Sequence, residues 1–397
     1  MNEPSRADVQ IWTVGTGGGH RSVALALAQA LRASARGQVT VALDDPTEIA
    51  IGRTARRLFG AYGPLIRTSP AAWGMLFRGF SRPQAVAALD RFLIRQLAPA
   101  MTKRTRLRSP GVVVNCHPLL GNSVRAATAP VEGAHSKLVT MMTDLVGGHS
   151  GWLSTEPDAI FTATPQASKW CREHGVPDSL IRETGLPVDE RLALGPAGPA
   201  ERSELRRRLG LDPDRFCLLL GGGAEGVGHL RQLASWVGSS GLPLQLVVIC
   251  GNNVRLLGWV RRYPTPVPTL ALEFEPSLTP WLRAADAYLG KPGPSTLAEA
   301  AAAGLALLVT QGLPGQEEHN DEAVVSAGAA VQVRHRDALL GTLSRLCRPG
   351  DPLLGTLQRG AVAWSRPAAA ALAAEEILRL LSEDVPGGPP RARTAAA

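Results

Sequence analysis

Two glycine-rich segments could each bind a phosphate group. Residues 15–20 (GTGGGH) and 221–228 (GGGAEGVG) both lie between a strand-like apolar run and a helical pattern. Glycines let backbone amides approach an anion closely, and the helix that follows adds the partial positive charge of its N-terminus. We therefore predict that 221–228 binds a diphosphate without a metal ion. An Asp-x-Asp pair would indicate a metal site, but the match at 212–214 precedes a strand and is typical of a turn.

Two titratable residues are candidates for moving a proton. His20 follows the first glycine segment directly, at the expected start of a helix. The helix end should lower its pKa, so that a neutral imidazole could act as a general base near neutral pH. The alternative role of His20 is packing within the loop. Asp144 is the second candidate base, and its alternative role is that of an N-cap or turn residue.

Two further clusters carry polar side chains suited to a nucleotide and a sugar. Residues 290–299 (GKPGPSTLAE) lead into an alanine-rich helix, and Glu299 could accept hydrogen bonds from a ribose diol. Alternatively, Thr296 and Glu299 form a capping box. Residues 312–320 (GLPGQEEHN) follow a strand, and Gln316 and Glu317 are suited to binding sugar hydroxyls. The alternative for this cluster is a surface turn.

The elements around these clusters predict two similar halves. Short apolar runs alternate with helical patterns, which favours parallel sheets built from βαβ units. We predict strands at 9–14, 38–43, 111–116, 137–142 and 159–163, and again at 216–220, 244–250, 269–274, 287–290 and 306–310. The predicted fold is therefore α/β, with two doubly wound Rossmann-like domains facing a cleft.

The predicted domain boundaries follow from this repetition. We predict a first domain over 1–195 and a second over 196–360; by the family resemblance given below, the first would bind an acceptor and the membrane and the second a nucleotide sugar. The pattern at 361–381 predicts one last helix, within a C-terminal segment 361–385 that could pack back on the first domain. The tail 386–397 is rich in Pro, Gly, Ala and Arg, and we predict that it is disordered.

Charge and apolar content favour a membrane surface over nucleic acid. The chain has 397 residues, a net charge of +8 and 45% hydrophobic residues, enough for a core in each domain. The segment 49–108 combines many arginines with apolar and aromatic residues, which is typical of a helix that binds anionic lipid, with Trp73, Phe77 and Phe80 as anchors. The alternative is an ordinary helical insertion with a solvated basic face. Aromatic–basic repeats that would indicate nucleic-acid binding are missing from the sequence.

Cysteines and hydropathy indicate the compartment. The five cysteines form no C-x-x-C pair, and Cys116, Cys217 and Cys250 lie in strand-like runs that predict buried thiols. No disulfide framework is implied, so a reducing compartment is expected. No apolar run is long enough to span a bilayer, so we predict a cytoplasmic protein bound peripherally to the inner face of the cell membrane.

Several ordered segments resemble a known family. The segment 290–320 resembles the nucleotide-sugar signature of the GT-B glycosyltransferases. These include the lipid II-forming N-acetylglucosaminyltransferases, and the sequence is more similar to the monogalactosyldiacylglycerol synthase and processive diacylglycerol glycosyltransferase type. Residues 17–22 (GGGHRS), 115–118 (NCHP), 143–146 (TDLV) with His149 and Trp152, 185–187 (GLP) and 221–226 (GGGAEG) match in order. Asp189, Ser295 and His319 depart from the family pattern, which has Arg, Gly and a small residue there.

The resemblance implies roles for individual residues. His20 and Asp144 would be catalytic. The acceptor site would comprise Gly19, His117, Pro118, His149 and Trp152. The donor site would comprise Gly222, Gly223, Glu225, Gly293, Pro294, Ser295, Thr296, Glu299, Gln316, Glu317 and Asn320.

Together the residues and the resemblance predict an inverting, metal-independent enzyme that needs no cofactor. It would move a hexose from a UDP-sugar to a lipid, with diacylglycerol expected as the acceptor. A polyprenyl-linked or soluble natural-product acceptor, or a nucleotide-sugar epimerase on the same fold, remain alternatives.

Overall fold

The computed structural model describes residues 6–15, 18–49, 53–129, 136–153 and 156–383. The predicted disordered tail, 386–397, lies outside these ranges. The described residues form two six-stranded sheets, which are parallel throughout, and sixteen helices. This architecture confirms the predicted α/β fold with two Rossmann-like domains.

The first sheet has the strand order β2-β1-β3-β4-β5-β6. Its strands are β1 (Val9–Trp12), β2 (Val41–Asp44), β3 (Val112–Asn115), β4 (Lys137–Met141), β5 (Ala159–Thr162) and β6 (Ile181–Glu183). Helices α1 (Gly19–Ser34), α2 (Arg53–Thr68), α3 (Pro70–Phe80), α4 (Pro83–Arg108), α5 (Gly121–Thr128), α6 (Pro165–Glu173) and α7 (Glu190–Ala193) belong to the same part of the chain. The sheet buries apolar residues on both faces, as parallel sheets do.

The second sheet has the strand order β12-β11-β10-β7-β8-β9. Its strands are β7 (Phe216–Gly221), β8 (Leu244–Ile249), β9 (Thr269–Leu272), β10 (Ala287–Gly290), β11 (Ala306–Val309) and β12 (Ala330–Gln332). Helices α8 (Pro199–Arg208), α9 (Leu230–Gly238), α10 (Val254–Val260), α11 (Thr279–Ala284), α12 (Pro294–Ala302), α13 (Asn320–Ser326), α14 (Arg336–Leu346) and α15 (Leu353–Trp364) surround it. The ten predicted strands all form, and β6 and β12 are additional.

The end of the chain differs from the sequence prediction. Instead of one helix over 361–381, α15 ends at Trp364 and a second helix, α16 (Ala369–Ser382), begins after Pro367. Proline cannot donate a backbone hydrogen bond and disfavours helix in the residue before it, so the helical pattern is interrupted there. Helix α16 packs its buried face, including Ala373 and Ile377, into the apolar core that also contains α1.

The basic segment 49–108 also differs in part from expectation. Arg108 is buried and pairs with Asp44 at 2.7 Å, and Arg104 pairs with the same carboxylate at 3.1 Å. These two arginines therefore hold α4 to β2, and Arg108 does not face solvent as a residue of a basic surface would, whereas Arg104 is partly exposed. Among the described residues, no helix is both long and apolar enough to cross a membrane.

Candidate active site

The site lies where the order of each sheet reverses. In the first sheet the chain turns in opposite directions after β1 and β3, and in the second after β7 and β10. Ligands of open parallel sheets bind at the carboxyl ends of such strands. The loops after β1, β7 and β10, together with Thr143 and Asp144 after β4, line a cavity of about 750 Å³ that also contains His20, Gly223 and Glu299. The fold therefore brings the predicted clusters of both halves to one cleft.

The wall formed by the second domain is suited to an anion. Helix α12 begins at Pro294, and Gly293 before it provides no side-chain cap, so the partial positive charge of the helix end is directed at the cavity. Gly223 lines the cavity, whereas a Cβ on Gly222 would lie 1.9 Å from the Val227 carbonyl oxygen. Gly222 is thus required by the folding of the loop itself, because no side chain fits there.

The Glu299 carboxylate lines the cavity and does not form a capping box. Helix α12 begins two residues before Thr296, so the capping box expected from the sequence does not form. Burial raises the pKa of Glu299 from 4.5 to about 7, opposed by a hydrogen bond from the Ser22 hydroxyl. The carboxylate is therefore poorly solvated and receives a hydroxyl from the first domain, as a ribose diol would supply.

A lysine that the sequence analysis did not single out lies beside the anion site. Lys291 forms an ion pair with the buried Glu317, whose second carboxylate oxygen accepts the Leu313 amide at 3.0 Å. Cβ atoms placed on Gly293 and Gly223 would lie 2.8 and 3.7 Å from the lysine Nζ. The ammonium group therefore lies between the 221–228 loop and the start of α12. Its place within residues 290–299 (GKPGPSTLAE) was the feature of the sequence that could have identified Lys291 as a site residue.

Two other members of the predicted donor set, Glu225 and Asn320, do not line the cavity. Asn320 donates to the Pro292 carbonyl oxygen at 3.1 Å and positions the loop before α12. The Glu225 carboxylate pairs with Arg67 of α2 and accepts a hydrogen bond from the Asn252 side-chain amide at 3.0 Å. It does not line the cavity. Both residues therefore support the donor loops from behind.

The predicted general base His20 lies on the opposite wall. Its Nδ1 is 2.9 Å from the Thr143 hydroxyl oxygen, and the ring also hydrogen-bonds the Cys116 backbone. Burial lowers the pKa of His20 to about 4, so the imidazole is neutral at pH 7. A lowered pKa for His20 was predicted from the sequence, but from the helix end; desolvation of the buried ring is the main cause.

The pKa of Asp144 lies closer to neutral pH than that of His20. Burial raises its pKa to about 6, although the Trp152 indole donates to its Oδ2 at 2.6 Å and the His149 backbone also donates to it. An effective general base has a pKa near the working pH. The carboxylate of Asp144 meets this condition, and it lines the same cavity as His20.

The predicted acceptor residues form a cluster behind these two groups. The His117 ring lies 4.6 Å from that of His20, and the Trp152 ring lies 6.0 Å from it. Burial lowers the pKa of His117 and His149, so both are neutral. Trp152 is fully buried, and the Pro118 carbonyl packs against Gly151. Gly19 lines the cavity itself and accepts a hydrogen bond from Ser295 at 3.1 Å.

One further part of the cleft went unnoticed in the sequence. The loop after β9, 274–278, lines the cavity and carries the half-exposed ring of Phe274. Asp189 and Arg191 lie nearby and pair with each other at 2.6 Å, with Arg191 also reaching Ser277. An aromatic face that lines the cleft is suited to stacking on a nucleobase.

The described residues do not form a metal-binding cluster. In the described ranges, no three His, Cys, Asp or Glu side chains are close enough together to hold a metal ion. Asp212 accepts the Asp214 amide at 3.0 Å, which is the turn expected from the sequence. The thiols of Cys116, Cys217 and Cys250 are buried and unbridged, as predicted.

The chain is similar to known glycosyltransferases in sequence. Residues 20–188 match the family model of monogalactosyldiacylglycerol (MGDG) synthase. Monogalactosyldiacylglycerol synthase 3, chloroplastic, of Arabidopsis thaliana is 28% identical over 332 residues, covering 80% of this chain and 70% of that protein. A probable monogalactosyldiacylglycerol synthase of Glycine max is 30% identical over 327 residues, covering 79% of this chain and 60% of that protein.

Solved structures share the fold. MurG of Acinetobacter baumannii has a TM-score of 0.56 at 17% identity, covering 94% of this chain and 99% of that one. Anabaena Alr3699/HepE in complex with UDP-glucose has a TM-score of 0.58 at 12% identity, covering 95% and 100%. The two domains, the cleft and these similarities confirm the resemblance seen in the sequence. In sequence the chain resembles the monogalactosyldiacylglycerol synthases, and in fold it resembles GT-B glycosyltransferases such as MurG.

Proposed function

We propose that this enzyme transfers a hexose from a UDP-sugar to diacylglycerol by a single inverting displacement that needs no metal. The observation that carries the proposal is the cavity itself. One wall presents an uncapped helix end, Lys291 and Glu299, and the other presents Asp144 and His20. Donor groups and a candidate base thus face one another across a space large enough for a nucleotide sugar.

The donor would extend along the second domain. The uracil would lie by Phe274, and the ribose diol would donate to Glu299. The diphosphate would lie against the glycine loop and the start of α12, where Lys291 offsets the charge that develops on the leaving group. Gln316 and Glu317 would bind the hexose. A structural neighbour is described in complex with UDP-glucose, which agrees with a UDP-linked donor.

The acceptor hydroxyl would approach from the first domain. Asp144 takes its proton as the oxygen attacks the anomeric carbon, the bond from that carbon to the phosphate oxygen breaks, and UDP leaves. Neutral His20 lines the same cavity as Asp144 and would help to direct the attacking oxygen. Attack opposite to the leaving group inverts the anomeric configuration. The low pKa of His20 and the raised pKa of Asp144 support this division of roles.

The lipid would be reached at an anionic membrane surface. Met75, Leu76 and Phe80 of α3 are 66%, 43% and 41% exposed, and Arg56, Arg57 and Arg82 are exposed on the same helical segment. Exposed apolar side chains and exposed arginines within one helical segment are suited to the headgroup region of an anionic leaflet. We therefore place the enzyme peripherally on the inner face of the cell membrane. Trp73 and Phe77, expected as anchors, instead pack inward against Tyr62 and His149.

The test is transfer from labelled UDP-galactose or UDP-glucose to diacylglycerol in vesicles, to a polyprenyl-linked acceptor or to a soluble acceptor, with vesicles lacking diacylglycerol as the blank. The products are identified by mass spectrometry, and their anomeric configuration is determined by NMR. A hexosyl-diacylglycerol with inverted anomeric configuration is expected. Product on a polyprenyl-linked or soluble acceptor alone would refute the lipid assignment. Conversion of one UDP-hexose into another without an acceptor would identify an epimerase.

A further inference from the structure

A residue of the first domain reaches the donor-sugar region of the second. Tyr62, on α2, lines the cavity, and its hydroxyl donates to the side-chain carbonyl oxygen of Gln316 at 3.2 Å. Burial and the nearby charge of Glu317 raise the pKa of the Tyr62 phenol above its ordinary value. The hydroxyl is therefore protonated and acts as a hydrogen-bond donor at any working pH.

The position of Tyr62 is fixed by extensive packing. Ile66, one turn further along α2, is 1% exposed and forms an apolar cluster with Val227 and Leu313 of the second domain. Arg67 pairs with Glu225 behind the glycine loop. The Tyr62 ring also meets Trp73 edge to face, with 5.0 Å between ring centroids. Helix α2 therefore contacts both the 221–228 loop and the 312–318 loop of the second domain directly.

Helix α3 is seated on the same loops. A Cβ on Gly74 would lie 2.6 Å from the Pro314 side chain, and one on Gly315 would lie 2.9 Å from the Phe77 ring. Arg78 pairs with Glu318 at 2.9 Å. The helix pair therefore covers the 312–318 loop, which carries the side chains proposed to bind the hexose.

We infer that Tyr62 is a positioning residue of the donor-sugar site and that it sets hexose preference through Gln316. With its carbonyl oxygen occupied by the phenol, the Gln316 amide presents its NH₂ group to the cavity and donates to a sugar hydroxyl. An amide held in one orientation distinguishes hexoses that differ in the direction of that hydroxyl. This inference rests on the proposed function, and it assigns part of the donor specificity to the domain that carries the acceptor site.

The test is the Tyr62→Phe variant, which keeps the ring and removes the hydroxyl. Affinities for UDP, UDP-galactose and UDP-glucose are measured by calorimetry, and KM and kcat by transfer. We expect the affinity for the preferred UDP-hexose to fall by about 2- to 12-fold, the range of one net hydrogen bond. The affinity for UDP should stay within about twofold, and the preference between the two hexoses should shrink. Tyr263→Phe is the matched control, since its hydroxyl contacts Ser235 outside the cleft.

A double-mutant cycle separates this role from simple packing. In a Gln316→Ala background, the further change Tyr62→Phe should have little effect on hexose affinity, because the amide that Tyr62 orients is gone. An equal loss for UDP and for UDP-hexose, an unchanged hexose preference, or a full effect in the Gln316→Ala background would each overturn the inference. The binding measurements need no acceptor, so failure of lipid glycosylation by the wild type would count against the proposed function alone.

Discussion

The raised pKa of Glu299 predicts that donor binding releases a proton. Without a ligand the carboxyl has a pKa of about 7, because burial disfavours the charged form. A ribose diol donates two hydrogen bonds to the ionised form, so the pKa of the bound enzyme must be lower. At about pH 6 roughly 0.9 of a proton should leave per donor bound, and at about pH 8 roughly 0.1. Affinity should rise about tenfold between these values.

The assay is calorimetry with UDP-glucose in pairs of buffers that differ in ionisation enthalpy. A UDP-hexose is preferable to UDP, since its esterified diphosphate does not titrate in this range. Glu299→Gln should abolish the Glu299 part of the proton release. Asp144, which also titrates near pH 6, is present in both proteins, so the difference between them isolates Glu299. At about pH 8 the variant should bind about 10- to 150-fold more weakly, from the loss of one charged hydrogen bond.

Stability should change in the opposite direction. A carboxyl whose folded pKa is raised binds its proton more tightly when folded, so the free energy of unfolding falls as pH rises from 4.5 through about 7. Glu299→Gln removes this loss, and the ligand-free variant should melt at a higher temperature than the wild type at alkaline pH. Equal proton release in both proteins, or a variant that only melts earlier and binds donor normally, would refute the reasoning.

Three further predictions concern catalysis, metal and membrane. Asp144→Asn should lower kcat by ~10²–10⁴-fold and remove the limb near pH 6 from the pH–rate profile. His20→Ala should also lower kcat, and it should leave donor affinity nearly unchanged. Turnover should persist in excess chelator. Replacement of Met75, Leu76 and Phe80 by Ser should weaken binding to anionic vesicles in a flotation assay, and salt should weaken the remaining binding, since each surface arginine contributes about 1 kcal/mol.

Each of these three predictions has its own contrary outcome, and the membrane prediction also has a control variant. Normal kcat in folded Asp144→Asn would move the base to His20. Activity lost in chelator and restored by magnesium or manganese would contradict metal independence. Val254→Ser is the matched control for the membrane variant, because Val254 is 74% exposed on the second domain. Equal binding to neutral and anionic vesicles would contradict the electrostatic contribution.

The sheets were predictable because both their faces are buried. Strands such as β7 and β8 are nearly continuous apolar runs, and the sequence placed each within three residues of its observed bounds. The edge strands β6 and β12 were missed, since three residues with mixed polarity give no such run. The helix break at Pro367 was overlooked because alanines on both sides continue the helical pattern.

The site was predictable only where function is local in sequence. The glycine segments directly follow strands, and Glu299 and Gln316 lie in the segments that follow β10 and β11. The carboxyl ends of strands are where parallel sheets bind ligands. Tyr62, the Ser22–Glu299 contact and the position of Lys291 depend on how the two domains meet, which no local pattern specifies. For the same reason Trp73 and Phe77 were mistaken for lipid anchors. An apolar helix face is equally consistent with lipid and with a neighbouring domain.

The return of α16 to the first domain bears on how the chain is synthesised. Its Ala373 and Ile377 share a core with Val23 and Leu27 of α1, although nearly the whole second domain lies between them in sequence. When the first domain leaves the ribosome, that face of α1 is still uncovered. It remains so until the final helix emerges, so the domain that begins first is completed last. Nascent chains halted before Ala369 should accordingly be the ones that engage chaperones.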